Sequence, residues 1–446
     1  MKKIVEPAKE IPVTEECDIC VIGGSCTGVF AAVRAARLGA KVVIIEKMNS
    51  FGGVATQGLV NYWHSQYDTE FKKQIAAGMS LEVVERLGKR NAVVEIKECP
   101  HKAFMFNSEE LKIELDEIIT ENKNIVPFLH THFAAPFVED GKLKAVFVEN
   151  KDGRQAIRAK VFIDASGDGD LAFRMGVPFV LDEFLQPPTT CAKIRNLCPE
   201  GVNLHETIKA HYEEFGLERD CGWSGDIPGC KDIRMYAETH VFNTNASDAR
   251  QLTNAEIKGR RQTRAIMDIF RKYAPSENMM LLSLASHIGI RETRRFIGEY
   301  RLTEEDVLEG KSFDDTIANG SYRVDVHNKE NGGFLFKYLD GRQENFTFFG
   351  MEKGRWRPER KVNPTFYQIP YRTMVNSKVD NLIFAGRTVS TDKAAFGAVR
   401  VMINLNQTGE AAGVAAVQAM DSGKKVCDID TEKLRKTLKA GGSILL

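Results

Sequence analysis

Two groups of polar residues in the third quarter of the chain have the types and spacing of a catalytic site. Asp325 and His327 alternate with valines on a strand-like run, so their side chains should share one face. An aspartate beside a histidine fixes the tautomer of the imidazole and raises its basicity, as a general base requires. The pattern predicts His327 as a catalytic acid or base, and a purely structural histidine is the alternative.

Three arginines form the second group. Arg291, Arg294 and Arg295 are spaced three and four residues apart, which would place them on one face of a helix. An arginine can bind a substrate carboxylate through two parallel hydrogen bonds, and we predict this role for at least one of the candidates Arg291 and Arg294. The alternative is a network of surface ion pairs, since Glu299 follows Arg295 by four residues.

A glycine turn near the N-terminus has the pattern of a dinucleotide-binding site. Residues 20–22 indicate a short buried strand, Gly23 permits a sharp turn, and Gly28 lets the following helix pack closely on the sheet. The helix N-terminus offers amide groups and partial positive charge to phosphates. Ser25 replaces the usual middle glycine, but it is small and its hydroxyl can contact a phosphate. Glu46, at the end of the second apolar run, can accept hydrogen bonds from ribose hydroxyls.

The elements that must position these residues follow from hydrophobic period and turn signals. Segment 17–46 indicates strand, helix and strand, and two Asp-Gly turns indicate a small antiparallel meander before the chain returns to a parallel sheet. The predicted strands of this region are 126–138, 143–149 and 155–164. A further strand ends at the glycine turn of 381–387, and a long helix is predicted from Phe396 to about Met420.

These elements predict an α/β fold, in which a Rossmann-like nucleotide-binding domain carries an inserted meander and is joined by a mixed α+β domain for the substrate. The predicted boundaries are 15–180 and 365–422 for the nucleotide-binding domain, 181–364 for the substrate or cap domain, and 423–446 for a C-terminal tail. A chain of 446 residues is longer than single hydrophobic cores usually become, so two domains are the default.

Composition excludes several classes of partner. Lys plus Arg and Asp plus Glu both number 61, so no global field favours nucleic acid or a membrane surface. No apolar run approaches the roughly 18 residues of a membrane span, and residues 1–14 lack the apolar core of a signal peptide.

Nine cysteines, an odd count, favour reduced thiols, so we expect a cytoplasmic protein. Cys17 and Cys20 should point to opposite faces of a strand and serve packing. Four cysteines of the middle third lack the paired spacing of a zinc site, so no metal centre is predicted: Cys191, Cys198, Cys221 and Cys230.

With its glycine turns in this order, the chain resembles the FAD-dependent oxidoreductases of the glutathione-reductase-like fold. The resemblance covers nearly the whole chain and depends on segments 21–28, 46–47, 51–56, 163–170, 289–295, 324–327, 369–372 and 381–387. Ser166 stands where this group usually has threonine, which keeps the hydroxyl.

The resemblance implies FAD bound non-covalently and extended through the core. It places the pyrophosphate at Gly23, Ser25, Thr27 and Gly28, with Cys26 beside them, and the adenosine ribose at Glu46, with Lys47 next to it. The ribityl chain and ring would lie along Gly52, Gly53, Val54, Ala55 and Thr56. The adenine would lie near Phe133, the adenosine half near Ala165, Ser166 and Gly167, and the pyrophosphate or ribityl chain beside Gly386 and Arg387. The helix starting near Phe396 and Gly397 would direct its N-terminus at the N1–C2=O edge of the flavin.

The resemblance also implies the reaction, which is hydride transfer between flavin N5 and a small polar organic substrate. His64 could face the ring, and Tyr371 and Arg372 could reach its rim. The electron partner and the oligomeric state stay open, with a homo-oligomer among the options. The alternatives are a flavoprotein that modifies tRNA, an NAD-dependent dehydrogenase, and a flavin-binding protein without catalysis.

Overall fold

A buried parallel sheet forms the centre of the molecule. The computed structural model describes residues 2–96, 103–220, 222–328 and 333–446. Five parallel strands lie side by side in the order Leu382–Phe384, Val161–Asp164, Ile19–Ile22, Val42–Ile45 and Ile125–Phe128. The first four are buried at every residue, as expected for a sheet covered on both faces. The predicted α/β class with a Rossmann-like sheet is confirmed.

An antiparallel arrangement follows in the chain, and it corrects two of the predicted strands. Segment 126–138 divides into Ile125–Phe128 of the parallel sheet and His132–Glu139, because the chain turns at His130, whose φ is 52°. Segment 155–164 likewise divides into Gly153–Arg158 and Val161–Asp164. The result is a sheet of three antiparallel strands: His132–Glu139, Lys142–Asn150 and Gly153–Arg158. A fourth strand, Val13–Glu16, pairs in parallel with Gly153–Arg158 at the edge of this sheet.

Helices cover the central sheet and fix the glycine turn. The helices of the described residues are α1 (Cys26–Arg37), α2 (Met79–Lys89), α3 (Ser108–Glu121), α4 (Asp170–Arg174), α5 (Leu204–His211), α6 (Ala249–Tyr273), α7 (Glu304–Leu308), α8 (Lys393–Val399), α9 (Met402–Ser422) and α10 (Thr431–Ala440). A side chain at Gly409 or Gly413 of α9 would overlap the carbonyls of Thr27 or Ala31 in α1, so these glycines let the two helices touch. None of the described helices is long and apolar enough to cross a membrane.

The remaining strands form smaller sheets. One four-stranded sheet consists of Trp223–Asp226, Ile233–Ala237, Ala192–Arg195 and Met280–Leu284, and another of Val324–Asn328, Gly333–Lys337, Arg342–Thr347 and Gly350–Arg355. A three-stranded sheet consists of Tyr62–Trp63, Ala103–Phe106 and Val93–Ile96. Two further sheets are pairs: Phe179–Val180 with Arg295–Phe296, and Thr316–Gly320 with Tyr367–Pro370.

The thiols of Cys17 and Cys20 are free and belong to the same apolar cluster. The prediction that they point to opposite faces of a strand was wrong, because Cys17 lies before the strand Ile19–Ile22. Cys221 lies outside the described residues.

Candidate functional site

The first glycine turn is held by close contacts that exclude larger residues. Gly23 has a φ of +98°, and a Cβ there would lie 2.5 Å from the carbonyl oxygen of Ala165. A Cβ at Gly28 would overlap the carbonyl oxygen of Gly23. The Ser25 hydroxyl caps α1 by accepting from the Gly28 amide at 3.3 Å. The N-terminus of α1 is thereby fixed beside the strand ends.

Glu46 is tied to the same turn through both carboxylate oxygens. One oxygen accepts from the Gly24 amide at 2.7 Å and the other from the Met48 amide at 2.8 Å. A carboxylate has about four acceptor positions, so Glu46 keeps two for a ligand. Glu46 and Lys47 line a small recess together with Phe133 and Gly23, where the adenine is predicted.

A second turn runs along the first. The Gly52 amide donates to the Gly24 carbonyl at 2.8 Å, and a Cβ at Gly53 would lie 3.0 Å from the Ser25 Cβ. Ala55 and Thr56, also predicted to bind the cofactor, are fully buried behind this turn and do not line the cavity in front of it. Thr56 is used internally, donating to the Phe51 carbonyl at 2.6 Å.

These turns and two further ones enclose what we call the glycine-loop cavity. The predicted residues that line it are Ser25, Cys26, Thr27, Glu46, Lys47, Gly52, Gly53, Val54, Ala165, Ser166, Gly167, Gly386 and Arg387. Arg387 forms an ion pair with Asp168 at 3.2 Å through Nη2. Its Nη1 is buried, with no hydrogen-bond partner among the described residues.

Phe396 and Gly397 do not line this cavity, which corrects the predicted helix. The chain forms two helices there, α8 and α9, because Val401 between them is extended, with φ −66° and ψ 141°. Both predicted residues are buried inside α8. Residues in the first turns of α9 line the cavity instead: Met402, Leu405 and Asn406.

The residues present fit an extended dinucleotide. A Cβ at Gly23, Gly28 or Gly53 would crowd atoms of the neighbouring turns, so these glycines let the turns come together, and the amide-rich start of α1 is suited to a pyrophosphate. The buried Nη1 of Arg387 lacks an acceptor that a phosphate or flavin oxygen would supply. Glu46 retains acceptor positions for ribose hydroxyls at the other end.

A second cavity adjoins the first, and we call it the inner cavity. The two share Val54, Ile290, Arg387, Arg400 and Met402. The inner cavity has a volume of about 380 Å³, within the range of small-molecule sites. Its remaining wall is aromatic and basic and includes Tyr62, His64, Trp223, His240, Arg291, Tyr322, Arg323, Asp325, His327, Phe334 and Phe336.

The predicted arginine cluster is divided between two places. Segment 289–294 contains no helix and Arg295–Phe296 is a strand, so the helical spacing does not apply and the prediction of a shared face was wrong. Arg291 lines the inner cavity and donates to the Pro187 carbonyl at 2.7 Å and to the Thr189 hydroxyl. Burial, with a smaller contribution from Arg400, lowers the pKa of Arg291 to about 10, so it stays charged at neutral pH.

Arg294 is not in the inner cavity. It donates to the Asp168 carbonyl at 3.0 Å and lies 4.1 Å from the centre of the Phe173 ring. Arg295 pairs with Asp182 and Glu292. The expected Arg295–Glu299 pair is absent from the ion pairs of the described residues.

His327 lines the inner cavity, but not as a base activated by Asp325. The two side chains share a face as predicted, yet Nδ1 of His327 lies 3.9 Å from Asp325 and 3.0 Å from Oε1 of Gln186. Asp325 instead pairs with Arg400 at 3.0 Å and accepts from Tyr322 at 2.9 Å. Burial and the charges of Arg291, His240 and Arg400 lower the pKa of His327 well below its ordinary value. The imidazole is therefore neutral.

Three predicted residues remain: His64, Tyr371 and Arg372. Among them, only His64 lines the inner cavity. The Tyr371 hydroxyl donates to the Val426 carbonyl at 2.8 Å inside the core, and Arg372 pairs with Asp315 at 3.0 Å. Sequence reasoning missed Arg400, Met402 and His240. The start of a helix near Arg400 is a weak sequence signal for a ligand-facing position. No local sequence motif marks His240.

Comparisons with known proteins place the chain in a family. The family model described as FAD dependent oxidoreductase matches residues 18–438. None of the curated proteins matches the chain significantly.

Among solved structures, the chain is similar to a geranylgeranyl bacteriochlorophyll reductase-like protein from Thermoplasma acidophilum, with 11% identity, TM-score 0.45, and coverage of 96% of this chain and 83% of that one. It is similar to the p-nitrophenol 4-monooxygenase PnpA from Pseudomonas putida DLL-E4, with 11% identity, TM-score 0.45, and coverage of 96% and 89%. The myxobacterial chondrochloren halogenase CndH matches with 11% identity, TM-score 0.40, and coverage of 96% and 79%.

Proposed function

The chain belongs to the FAD-dependent oxidoreductase family, and from this premise we propose that it transfers a hydride between flavin N5 and a small organic anion in the inner cavity. The family confirms the predicted enzyme class and FAD, so the NAD-dependent alternative is dropped. We further propose that segments 15–180 and 365–422 hold FAD and that 181–364 is the substrate domain. FAD, when bound, supplies two-electron chemistry at N5.

The proposed cofactor contacts follow the glycine-loop cavity. Ser25 and the start of α1 face the pyrophosphate, Glu46 the ribose, and Phe133 the adenine. The start of α9 at Met402 takes the place that the sequence assigned to Phe396 and Gly397, with its amides toward the flavin. Arg387 lines both cavities and would contact the cofactor through Nη1.

The charge of the inner cavity is the observation that supports an anionic substrate. Four arginines line the wall against one carboxylate, that of Asp325; they are Arg291, Arg323, Arg387 and Arg400. Asp325 is paired with Arg400, and no carboxylate of the described residues lies within ion-pair distance of Arg291. A cation that faces an enclosed cavity and lacks a carboxylate partner favours binding of a carboxylate or similar oxyanion. We therefore assign the substrate anion to Arg291.

The rest of the wall suits an apolar or aromatic body. Tyr62, Trp223, Phe334 and Phe336 present rings to the cavity. His327 presents a buried Nε2 that has no partner among the described residues, while Nδ1 is held by Gln186. We propose that this Nε2 hydrogen-bonds the reacting group of the substrate and orients it.

The test is anaerobic reduction of the purified flavoprotein by a panel of hydroxy and amino carboxylic acids. Flavin absorbance near 450 nm should bleach with at least one acid, with a primary deuterium isotope effect at the oxidised carbon. Arg291→Gln should weaken the apparent affinity for the acid by about 10- to 100-fold, the value of a charged hydrogen bond. Arg294→Gln is the matched control and should leave it unchanged. Equal apparent affinity for the acid in wild type and Arg291→Gln would refute the anion site.

A further inference from the structure

A second histidine of the inner cavity forms the aspartate–histidine pair that the sequence suggested elsewhere. Nδ1 of His240 lies 2.7 Å from Oδ1 of Asp220. Nε2 of His240 is buried and has no hydrogen-bond partner among the described residues. The ring lies beside that of His327, with 5.0 Å between the ring centres. This arrangement leaves Nε2 of His240 available to a molecule in the inner cavity.

The pair connects two cavities. His240 lines the inner cavity, whereas Asp220 lines a separate one, the outer cavity, together with His205, Tyr212 and Glu238. The side chain of His240 is 1% exposed and that of Asp220 is 15% exposed. Asp220 is therefore a polar neighbour that lies between His240 and the outer cavity.

We propose that His240 is the catalytic base of the reaction and that Asp220 links it to water in the outer cavity. This rests on the proposed function. In the oxidising direction the substrate loses two electrons with a hydride to the cofactor, and the proton of its hydroxyl or amino group goes to Nε2 of His240. The imidazolium is held against the Asp220 carboxylate until its proton exchanges with water. Reduction follows the reverse path.

The surroundings of the two histidines decide between them. An imidazolium at His327 would face Arg291 and Arg400, with its Nδ1 hydrogen-bonded to a neutral amide. An imidazolium at His240 would instead lie against a carboxylate, with its Nδ1 2.7 Å from Oδ1 of Asp220. His240 is therefore suited to holding the proton and His327 to orienting the substrate.

The first experiment is nitrogen-15 NMR of the holoenzyme with labelled histidine. His240 is identified by the resonance lost in His240→Gln. We expect a protonated, hydrogen-bonded Nδ1 and a bare Nε2, and we expect Asp220→Asn to shift the Nδ1–H resonance upfield. A proton on Nε2 in the free holoenzyme would overturn the proposal, because Nε2 could not then accept one.

The second experiment uses benzoate as the anionic probe. Calorimetry in buffers of different ionisation enthalpy gives the number of protons taken up on binding to the holoenzyme. Wild type and His327→Gln should take up a fraction of a proton, whereas His240→Gln should bind benzoate without uptake. Uptake retained in His240→Gln contradicts the proposal. Failure of wild type to bind benzoate contradicts the anion site instead, and the NMR result then decides the role of His240.

Discussion

Replacing Gly23 by alanine should weaken the cofactor site by moving one wall of it. The new Cβ would lie 2.5 Å from the Ala165 oxygen and 2.6 Å from the Ser166 Cα, where ordinary contact begins at 3.4 Å. Both neighbours are backbone, so the turn at 165–166 must move by about 0.9 Å or the loop must open. Overpacking costs about 1–3 kcal/mol, and a non-glycine residue at a φ of +98° costs about 1–3 kcal/mol more.

Gly39 provides the matched control for this substitution. It follows α1 as Gly23 precedes it, and its φ is +95°, but a Cβ there would meet nothing within 4 Å. Gly39→Ala therefore carries the backbone strain without the overlap. Urea unfolding of the apoprotein should show Gly23→Ala to be less stable than Gly39→Ala by about 1–3 kcal/mol.

Fluorescence titration of the apoproteins with FAD gives the functional consequence. The displaced turn contributes Ala165 and Ser166 to the glycine-loop cavity, so Gly23→Ala should weaken FAD binding by about 10- to 100-fold. Gly39→Ala should bind FAD like wild type. Equal FAD affinity and equal stability in the two variants would refute the reasoning, because strain alone would then explain both.

Three other substitutions test separate parts of the structure. Glu46→Gln loses one of two charged hydrogen bonds to backbone amides and should weaken FAD binding at least about 10-fold in the same titration. Gly397→Ala would place a Cβ 2.6 Å from the backbone carbonyl oxygen of Asp325 and so displace the strand that carries Asp325 and His327. Benzoate affinity should therefore fall by about 10-fold, while the flavin spectrum stays unchanged. Burial raises the pKa of Glu410 to about 7 from 4.5, so its native state holds a proton that the unfolded chain releases. Stability should therefore fall by up to about 3 kcal/mol as pH rises from about 4.5 to above 7, and urea unfolding of Glu410→Gln should lack this fall.

The glycine-loop cavity, which we propose holds FAD, could be predicted from the sequence because its signals are local. Gly23, Gly28 and Glu46 belong to one strand–helix–strand unit, in which backbone geometry fixes where each residue lies. The later glycine turns at Gly167 and Gly386 also follow strands of the same parallel sheet. Strand ends at one edge of a parallel sheet meet in space, so the turns converge on one cavity.

The substrate half could not be predicted, since its residues come together only through tertiary packing. The spacing of Arg291, Arg294 and Arg295 suits a helix, but this segment is irregular until the strand Arg295–Phe296. The alternation of Asp325 and His327 correctly predicted that they share a face. The Asp325 carboxylate, however, pairs with Arg400 and accepts a hydrogen bond from Tyr322 instead of contacting His327. Asp220 and His240 lie twenty positions apart in the sequence, and no periodicity relates them.

Segment 386–402 connects the glycine-loop cavity with the inner cavity, and its two glycines, Gly386 and Gly397, serve different purposes. Gly386 and Arg387 line the glycine-loop cavity, and Arg400 and Met402 line both cavities. Gly397 faces neither of them; it lets α8 pack on the strand Val324–Asn328, which carries Asp325 and His327. The Arg400–Asp325 pair joins the same strand to the start of α9. Under the proposed function, this connection predicts that substrate and cofactor binding are energetically linked.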